Sequence, residues 1–145
     1  MRVVVQRVSA AAVRVDGDVV GEIGPGLFAL VGVGRRSTPA DAEWLAAKTA
    51  GLRIFADDRG RMDRSVMDLG GSVLAVSQFT LYGDVSKGRR PSFIHAAEPE
   101  RAQHLYELYC SALPVTVARG VFGAHMDISA RADGPVTLLL QREDL

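Results

Sequence analysis

The sequence has one cysteine, no excess of charge and no long apolar run. A single thiol, Cys110, among 145 residues excludes a disulfide framework and multi-cysteine metal sites. The 17 basic and 17 acidic side chains cancel, which argues against a cationic nucleic-acid coat protein and against a disordered charged tail. No apolar run approaches the about 20 residues that span a bilayer, and the opening MRVVVQRVSA lacks a signal-peptide pattern. We therefore expect a soluble, cytoplasmic protein with a single domain over residues 1–145.

Valine-rich runs dominate the first third of the chain and predict β-structure. Asp16-Gly17 between two such runs is typical of a two-residue hairpin, because the turn that matches strand twist requires positive φ. Gly24-Pro25-Gly26 predicts the next turn. The predicted strands cover residues 2–8, 11–15, 19–23 and 27–33.

Helical spacing begins at Pro39 and returns after Pro99. Thr38 resembles a helix cap, with proline in the first helical position and Asp41 in the first turn, so we predict a helix over residues 39–50. After Pro99, apolar residues recur on one helical face as far as Leu113. Around the helices lie an apolar run at 73–81 and predicted strands at 52–55, 115–119, 126–129 and 136–140. This order favours an α+β fold with a curved, barrel-like β-sheet and two main helices.

Common catalytic centres find little support in the sequence. His95, His104 and His125 are scattered without a metal-ligand spacing, so we predict neither a metal nor a cofactor. Cys110 falls on the second predicted helix, where we interpret it as a small core residue rather than a nucleophile.

Two segments place unusual groups where apolar strands end or begin. Ser77, Gln78 and Thr80 follow an apolar run, and their neutral donors and acceptors must find partners in the protein or in a ligand. Gly134-Pro135 precedes the last apolar run. The backbone of the glycine has unusual conformational freedom and that of the proline has almost none, and the peptide bond between them could be cis. The alternatives are a strand end bonded to neighbouring backbone and a plain turn.

A third segment concentrates positive charge. Lys87, Arg89 and Arg90 bring three cations within four residues, beside a turn-forming glycine and proline. Such a cluster could hold phosphates despite the balanced total charge. A solvated loop is the alternative.

Taken together, the segments resemble the D-aminoacyl-tRNA deacylase family over nearly the whole chain. The combination of SQFTL with a C-terminal GPxT is specific, whereas neither part alone would be. The landmarks in family order are Val5-Gln6-Arg7-Val8, Val15-Asp16-Gly17, Gly51-Leu52-Arg53-Ile54-Phe55, SQFTLYGD, KGRRPSF, Phe122-Gly123-Ala124 and the terminal GPVT.

The resemblance implies a cytosolic homodimer that hydrolyses the ester between a D-amino acid and the terminal adenosine of tRNA. Its partner is then the 3′ end of an aminoacyl-tRNA, and each active site is shared across the dimer interface. One subunit would contribute a strand with the catalytic residues Ser77, Gln78, Phe79 and Thr80. The substrate-binding residues would be Gly134 and Pro135 of the other subunit, as a Gly-cis-Pro motif, with Phe122 and Met126 on the adenosine side.

Two positions depart from the family pattern. The family usually has asparagine two residues before the Gly-Pro pair, and this chain has Ala132 there. It also commonly has an acidic residue where this chain has His125. The first departure removes a polar side chain beside the Gly-Pro turn, which leaves open how that turn is braced. Neither departure touches SQFT or the Gly-Pro pair.

The candidate pocket residues include no conventional general base. We therefore expect positioning and oxyanion stabilisation by main-chain N–H groups around Phe79 and Thr80, with the ribose 2′-hydroxyl of the substrate activating water. A nucleophilic Thr80 is the lesser alternative. Carbonyls of Gly134 and Pro135 would hold the α-ammonium and exclude an L side chain, which leaves glycyl-tRNA as a further substrate. The competing functions are a non-catalytic tRNA-binding module of the same fold and a deacylase for a mischarged L-amino acid.

Overall fold

A computed structural model describes residues 1–143, in which eight β-strands and two α-helices follow one another along the chain. A short 3₁₀ helix, Phe79–Tyr82, follows the sixth strand. The elements are β1 (Arg2–Val15), β2 (Asp18–Ile23), β3 (Gly26–Gly32), α1 (Pro39–Gly51), β4 (Phe55–Ala56), β5 (Met62–Arg64), β6 (Ser72–Ser77), α2 (Pro99–Ala112), β7 (Thr116–Arg119) and β8 (Asp127–Gln141).

Strand β1 organises the main sheet. On one edge its first half pairs with β3 and its second half with β2, and on the other edge it pairs with β8, always antiparallel. The two strands predicted at 2–8 and 11–15 are therefore one strand. The prediction was wrong because Ser9 is an extra residue opposite β8. This bulge shifts the alternation of buried residues, so that Val8 before it and Ala11 and Val13 after it belong to the same core cluster.

The rest of the sheet is parallel and curls back on itself. Strand β6 pairs with β3 and with β7, parallel in both cases. The far edges then approach each other, because a Cβ on Gly21 of β2 would lie only 2.5 Å from the carbonyl oxygen of Arg119 in β7. The predicted α+β fold with a curved, barrel-like sheet and two helices is confirmed.

Strands β3 and β6 are buried on both faces, which explains their continuous apolar sequences. Because side chains alternate along a strand, one set faces the helices and the other faces the inside of the curled sheet. The helix side holds Leu27, Ala29, Val31, Val73 and Ala75, and the inner side holds Phe28, Leu74 and Val76.

The helices pack together against the outer face of the sheet. A capping box begins α1, since Thr38 and Asp41 each bond the other's backbone N–H. Two tyrosines of α2 make buried hydrogen bonds: Tyr109 Oη lies 2.9 Å from Thr49 Oγ1, and Tyr106 donates to the carbonyl of Ala75 at 2.7 Å. No helix within residues 1–143 is long and apolar enough to cross a membrane.

The helix predictions are confirmed to within one residue at α1, and Cys110 lies in the core, where burial raises the pKa of its thiol. Two strand predictions need correction. The segment predicted as a strand at 52–55 contributes only Phe55 to β4. The strands predicted at 126–129 and 136–140 are parts of a single strand, β8, which begins one residue later at Asp127, because β1 is long enough to pair with both parts.

Because β3 and β6 lie close together, alanine substitutions at two nearby glycines are predicted to have very different effects on stability. A Cβ on Gly26 would lie 1.9 Å from the carbonyl oxygen of Ser72, whereas a Cβ on Gly24 would have no atom within 4 Å. We expect Gly26→Ala to lower the free energy of unfolding by at least the about 1–3 kcal/mol typical of overpacking. Gly24→Ala should change it by less than about 0.5 kcal/mol. Urea denaturation of both variants measures the contrast, and equal stabilities would contradict it.

Candidate active site

The segment Ser77–Thr80 lies where two parallel strands end at the same edge of the sheet. Ser77 is the last residue of β6 and is paired with Val31 of β3. The N–H of Gln78 still donates to the carbonyl of Val31 at 2.7 Å, and the chain then turns into the 3₁₀ helix. Only Ser77 of the four candidate residues is in a strand, so the expected strand through Thr80 is wrong. The strand stops here because β3 ends at Gly32 and β7 at Arg119, which leaves no neighbour to pair with.

The 3₁₀ helix presents two unpaired main-chain donors. The first N–H groups of any helix have no acceptor within it. Here the N–H of Leu81 donates to the carbonyl of Gln78 at 3.3 Å, whereas the N–H groups of Phe79 and Thr80 have no acceptor among residues 1–143. Two adjacent free donors at an exposed position are able to hydrogen-bond an oxyanion.

The side chains around these donors are neutral. The amide Nε2 of Gln78 donates to Thr80 Oγ1 at 2.5 Å, so the threonine hydroxyl accepts from a group that cannot take up its proton. Phe79 is 52% exposed and makes an edge-to-face contact with Phe93, with ring centroids 4.9 Å apart. This arrangement offers hydrogen-bond donors and an apolar ring rather than a general base.

Phe122 and Met126 lie beside the same end of β6. They belong to the loop between β7 and β8, and its Gly120 donates to the carbonyl of Ala75 in β6. Met126 Sδ lies 2.5 Å from where a Cβ of Gly120 would stand, and Val76 lies next to the same point. Phe122 is partly buried near the ring of Tyr106. The structure thus places both residues near the end of β6, with Phe122 packed against the helix-side cluster and Met126 against the inner one.

Gly134 and Pro135 form a bulge in β8. The register of β8 against β1 passes from Thr137 opposite Gln6 to Ala132 opposite Val8, so residues 133–136 face a single residue of β1. Gly134 has a φ of +125°, which L side chains rarely adopt, and the Gly134-Pro135 peptide bond is cis. The backbone of this pair therefore protrudes from the sheet.

Arg7 is the single residue opposite the bulge, and its side chain braces it. Its Nε donates to the carbonyl of Asp133 at 3.1 Å and lies 3.3 Å from the Asp133 carboxylate. Its Nη1 donates to the carbonyl of Ile54 at 2.6 Å. Its side chain is only 14% exposed. Arg7 thus braces the turn from the neighbouring strand, on a different element from Ala132.

Sequence reasoning gave Arg7 no role, although its segment was among the landmarks. The available signal was the spacing, since Arg7 falls on the same face of the strand as the buried Val3 and Val5. A buried guanidinium needs several acceptors, and strand residues can find them in the carbonyls of a neighbouring bulge. The partner segments could not be read from the sequence, since Ile54 and Asp133 are 79 residues apart along the chain.

A second arginine clamps the 3₁₀ helix from the other side. Arg2 Nη1 donates to the carbonyl of Leu81 at 2.9 Å, its guanidinium lies 4.4 Å from the ring centre of Tyr82, and its Nε pairs with Glu143 at 2.8 Å. Tyr82 also donates to Glu143, at 2.7 Å. Burial and this carboxylate raise the pKa of Tyr82 above its usual range. Burial opposes ionisation of Glu143, but the two hydrogen bonds outweigh it and lower the Glu143 pKa.

The two candidate halves of the site are far apart within one chain. β6 and β8 are separated in the sheet by β1 and β3. Strands lie about 4.8 Å apart, so three steps across the sheet amount to about 14 Å. One copy of the chain therefore presents Phe79 and Thr80 at one place and Gly134-Pro135 at another.

The basic segment is an exposed loop. Asp84 and Ser92 pair through their backbones at its base, and Gly88 has a φ of +70° at its tip. The side chains of Lys87, Arg89 and Arg90 are exposed and make no ion pair within the described residues. The loop thus carries three free cations beside the end of the 3₁₀ helix.

The chain is similar over nearly its whole length to proteins that share one name. The protein named D-aminoacyl-tRNA deacylase of Thermomicrobium roseum is 56% identical over 100% of this chain and 96% of its own. The protein of the same name from Symbiobacterium thermophilum is 53% identical over 99% and 97%. A solved structure titled c-Myc DNA Unwinding Element Binding Protein has a TM-score of 0.93 and 37% identity, covering 99% of this chain and 100% of that one.

A more distant structure supports the fold alone. It is titled as a probable eukaryotic D-amino acid tRNA deacylase, with a TM-score of 0.79, 18% identity and coverage of 96% and 97%. The family model described as D-Tyr-tRNA(Tyr) deacylase matches residues 4–141. The resemblance seen in the sequence is confirmed: the chain belongs to the D-aminoacyl-tRNA deacylase family of ester-bond hydrolases.

Proposed function

We propose that this protein is a cytoplasmic enzyme that hydrolyses the ester bond of D-aminoacyl-tRNA, releasing the free D-amino acid and tRNA as a chiral proofreading step. The whole chain acts as one catalytic domain. The observation that carries the proposal is the pair of free N–H groups on Phe79 and Thr80, at an exposed strand end lined by neutral side chains.

The reaction centre is the main chain of the 3₁₀ helix. Attack on an ester carbonyl places negative charge on its oxygen, and the N–H groups of Phe79 and Thr80 stabilise that charge by hydrogen bonding. Ser77 and Gln78 fix the helix start, and Gln78 fixes the Thr80 hydroxyl. An aminoacyl ester is already activated, so positioning and oxyanion stabilisation carry much of the catalysis.

Water activation then comes from the substrate. The ribose 2′-hydroxyl is adjacent to the ester and can orient and polarise a water molecule. This role suits a site whose own side chains include no base. Phe122 and Met126 hold the adenosine, because they offer an apolar ring and a polarisable thioether beside the end of β6.

A homodimer completes the site. Within one chain Gly134-Pro135 cannot reach the 3₁₀ helix, so a partner subunit supplies this pair to each site. The outer edge of β8 has no neighbouring strand within the described residues, and Leu138 and Leu139 are exposed on it. An unpaired edge with exposed leucines is suited to covering by a second copy.

Chirality is set by the protruding backbone of the partner subunit's Gly134-Pro135. Carbonyl oxygens of this pair accept from the α-ammonium of the substrate, and they occupy the side on which an L side chain would project. The discrimination is steric, so it does not depend on which D side chain is present. Arg7 holds the bulge in place through Asp133.

A panel of four charged tRNAs tests the function. We expect hydrolysis of D-tyrosyl-tRNA and glycyl-tRNA, with L-tyrosyl-tRNA and L-alanyl-tRNA left intact, because glycine has no side chain to be excluded. A hydrophobic pocket discriminates between substrates that differ by one methylene by only about 10- to 200-fold. We expect steric exclusion by the rigid backbone of Gly134-Pro135 to discriminate between glycyl-tRNA and L-alanyl-tRNA by more than this. Binding without ester loss would instead indicate a tRNA-binding module, and loss of an L-aminoacyl ester a different editing activity.

The oxyanion role of the Phe79 N–H is tested by Phe79→Pro against Phe79→Ala. Both variants lose the ring, but only proline removes the N–H, and it is tolerated at the first position of a helix. Gln78, with φ −140° and ψ 84°, lies outside the helical region that a following proline disfavours. We expect kcat of Phe79→Pro to be about 10²–10³-fold below that of Phe79→Ala. Equal kcat values would remove the donor from the mechanism.

Mixing two inactive variants tests the shared site. Phe79→Pro damages one half, and Gly134→Ala damages the other, because its Cβ would lie 3.1 Å from Arg7 Nη2 at a φ of +125°. After unfolding and refolding together, activity should recover to about a quarter of wild type, since half the dimers are mixed and each has one intact site of two. Each variant refolded alone should stay inactive. No recovery in the mixture would place both halves of the site in one subunit.

A further inference from the structure

A second concave site lies at the far end of the 3₁₀ helix from Phe79. It is a cavity of about 790 Å³, open to solvent. Five parts of the chain line it: residues 1–2, the turn at 34–37 that follows β3, residues 82–84 at the end of the 3₁₀ helix, His95 before α2, and Glu143 after β8. Its polar lining includes Arg2, Arg35, Arg36, Asp84, His95 and Glu143.

The cavity carries an excess of positive charge. Glu143 is neutralised by Arg2, to which it is paired at 2.8 Å. Ser86 hydrogen-bonds to the carboxylate of Asp84 and lowers its pKa. The positive charges of Arg35 and Arg36 are left without a neutralising partner within the described residues. Both are exposed, and neither side chain has an ion pair or a hydrogen bond within residues 1–143.

The backbone that carries these arginines is held in place. The N–H of Gly34 donates to Ser37 Oγ at 2.9 Å, and the N–H of Ser37 donates to the carbonyl of Gly34 at 3.1 Å. The N–H of Arg35 donates to the carbonyl of His95 at 3.0 Å, and Arg101 bonds the carbonyl of Ser37. Two free guanidinium groups on a fixed turn are suited to an anion, because their fork of donors matches phosphate oxygens.

The cavity and the oxyanion donors share one short helix. Tyr82, which lines the cavity, is two residues beyond Thr80, or about 4 Å along a 3₁₀ helix. Asp84, also in the lining, begins the basic loop that carries Lys87, Arg89 and Arg90. The cavity therefore lies next to both the ester site and the basic loop, with the Asp84 carboxylate at the start of that loop.

We propose that Arg35 and Arg36 bind a backbone phosphate of the single-stranded RNA that immediately precedes the terminal adenosine. This inference rests on the proposed function, since it assigns the cavity to the same substrate. It makes the cavity a binding site for RNA phosphate that is separate from the pocket for the ester. Its contribution is to affinity for the whole tRNA rather than to the chemistry.

The test compares two substrates in the double variant Arg35→Ala/Arg36→Ala. One substrate is D-tyrosyl-tRNA, and the other is the D-tyrosyl ester of adenosine, which has no phosphate. We expect KM for the tRNA to rise about tenfold with kcat unchanged, and the slope of log KM against log salt to fall by about 1. Hydrolysis of the adenosine ester should be unaffected.

The matched control is Arg59→Ala/Arg61→Ala. These two arginines are also exposed and without a side-chain partner among the described residues, but they lie in the β4–β5 turn, away from the cavity. The control substitutions remove the same number of positive charges from the protein. An equal rise in KM in both double variants would therefore show that the effect comes from total charge and not from the cavity. An unchanged KM in Arg35→Ala/Arg36→Ala, or an equal loss on both substrates, would also overturn the proposal.

A binding measurement separates this proposal from the proposed function. Fluorescence anisotropy with a labelled oligoribonucleotide ending in CCA requires no catalysis. Weaker binding by Arg35→Ala/Arg36→Ala than by the control pair supports the phosphate site even if wild-type protein hydrolyses none of the charged tRNAs. Equal binding by the two double variants overturns it, whatever the outcome of the hydrolysis assays.

Discussion

The antiparallel pairing of β1 along both its edges is the constraint on which the rest of the structure depends. It fixes β3 and then β2 along one edge of β1 and β8 along the other. Since β6 must then pair outside β3, the 3₁₀ helix that follows it and the bulge at Gly134-Pro135 are held apart by two strands. This separation cannot relax by a loop movement, because each step of it is a ladder of backbone hydrogen bonds. A site that needs both parts therefore needs two chains.

The same pairing explains why main-chain groups are available for chemistry. Backbone donors in the interior of a sheet are used by the neighbouring strands, so free donors occur where pairing ends. At the end of β6 both neighbours stop within a few residues, and the chain closes a 3₁₀ turn that leaves the N–H groups of Phe79 and Thr80 without an acceptor. In β8 the free groups arise where four residues face Arg7 alone. Both halves of the candidate site are thus interruptions of the same sheet.

Local signals in the sequence predicted the helices well and the ends of the strands less well. Thr38, Pro39 and Asp41 mark the start of α1 directly, because a cap involves only neighbouring residues. The bulge at Ser9 and the break after Ser77 depend on where partner strands begin and end, which no local pattern records. The motif segments located the candidate site, but the role of Arg7 required the positions of Ile54 and Asp133.

Arg7 shows how the fold, rather than a local turn, sets the position of the bulge. Its guanidinium bonds one carbonyl in β8 and one at Ile54, in the connection between α1 and β4. Ile54 belongs to the core between the sheet and the helices. The carbonyls of Gly134 and Pro135 are therefore tied, through one buried side chain, to the packing of α1 against the sheet. The position of the bulge thus depends on the core of the protein and not on the side chain at position 132.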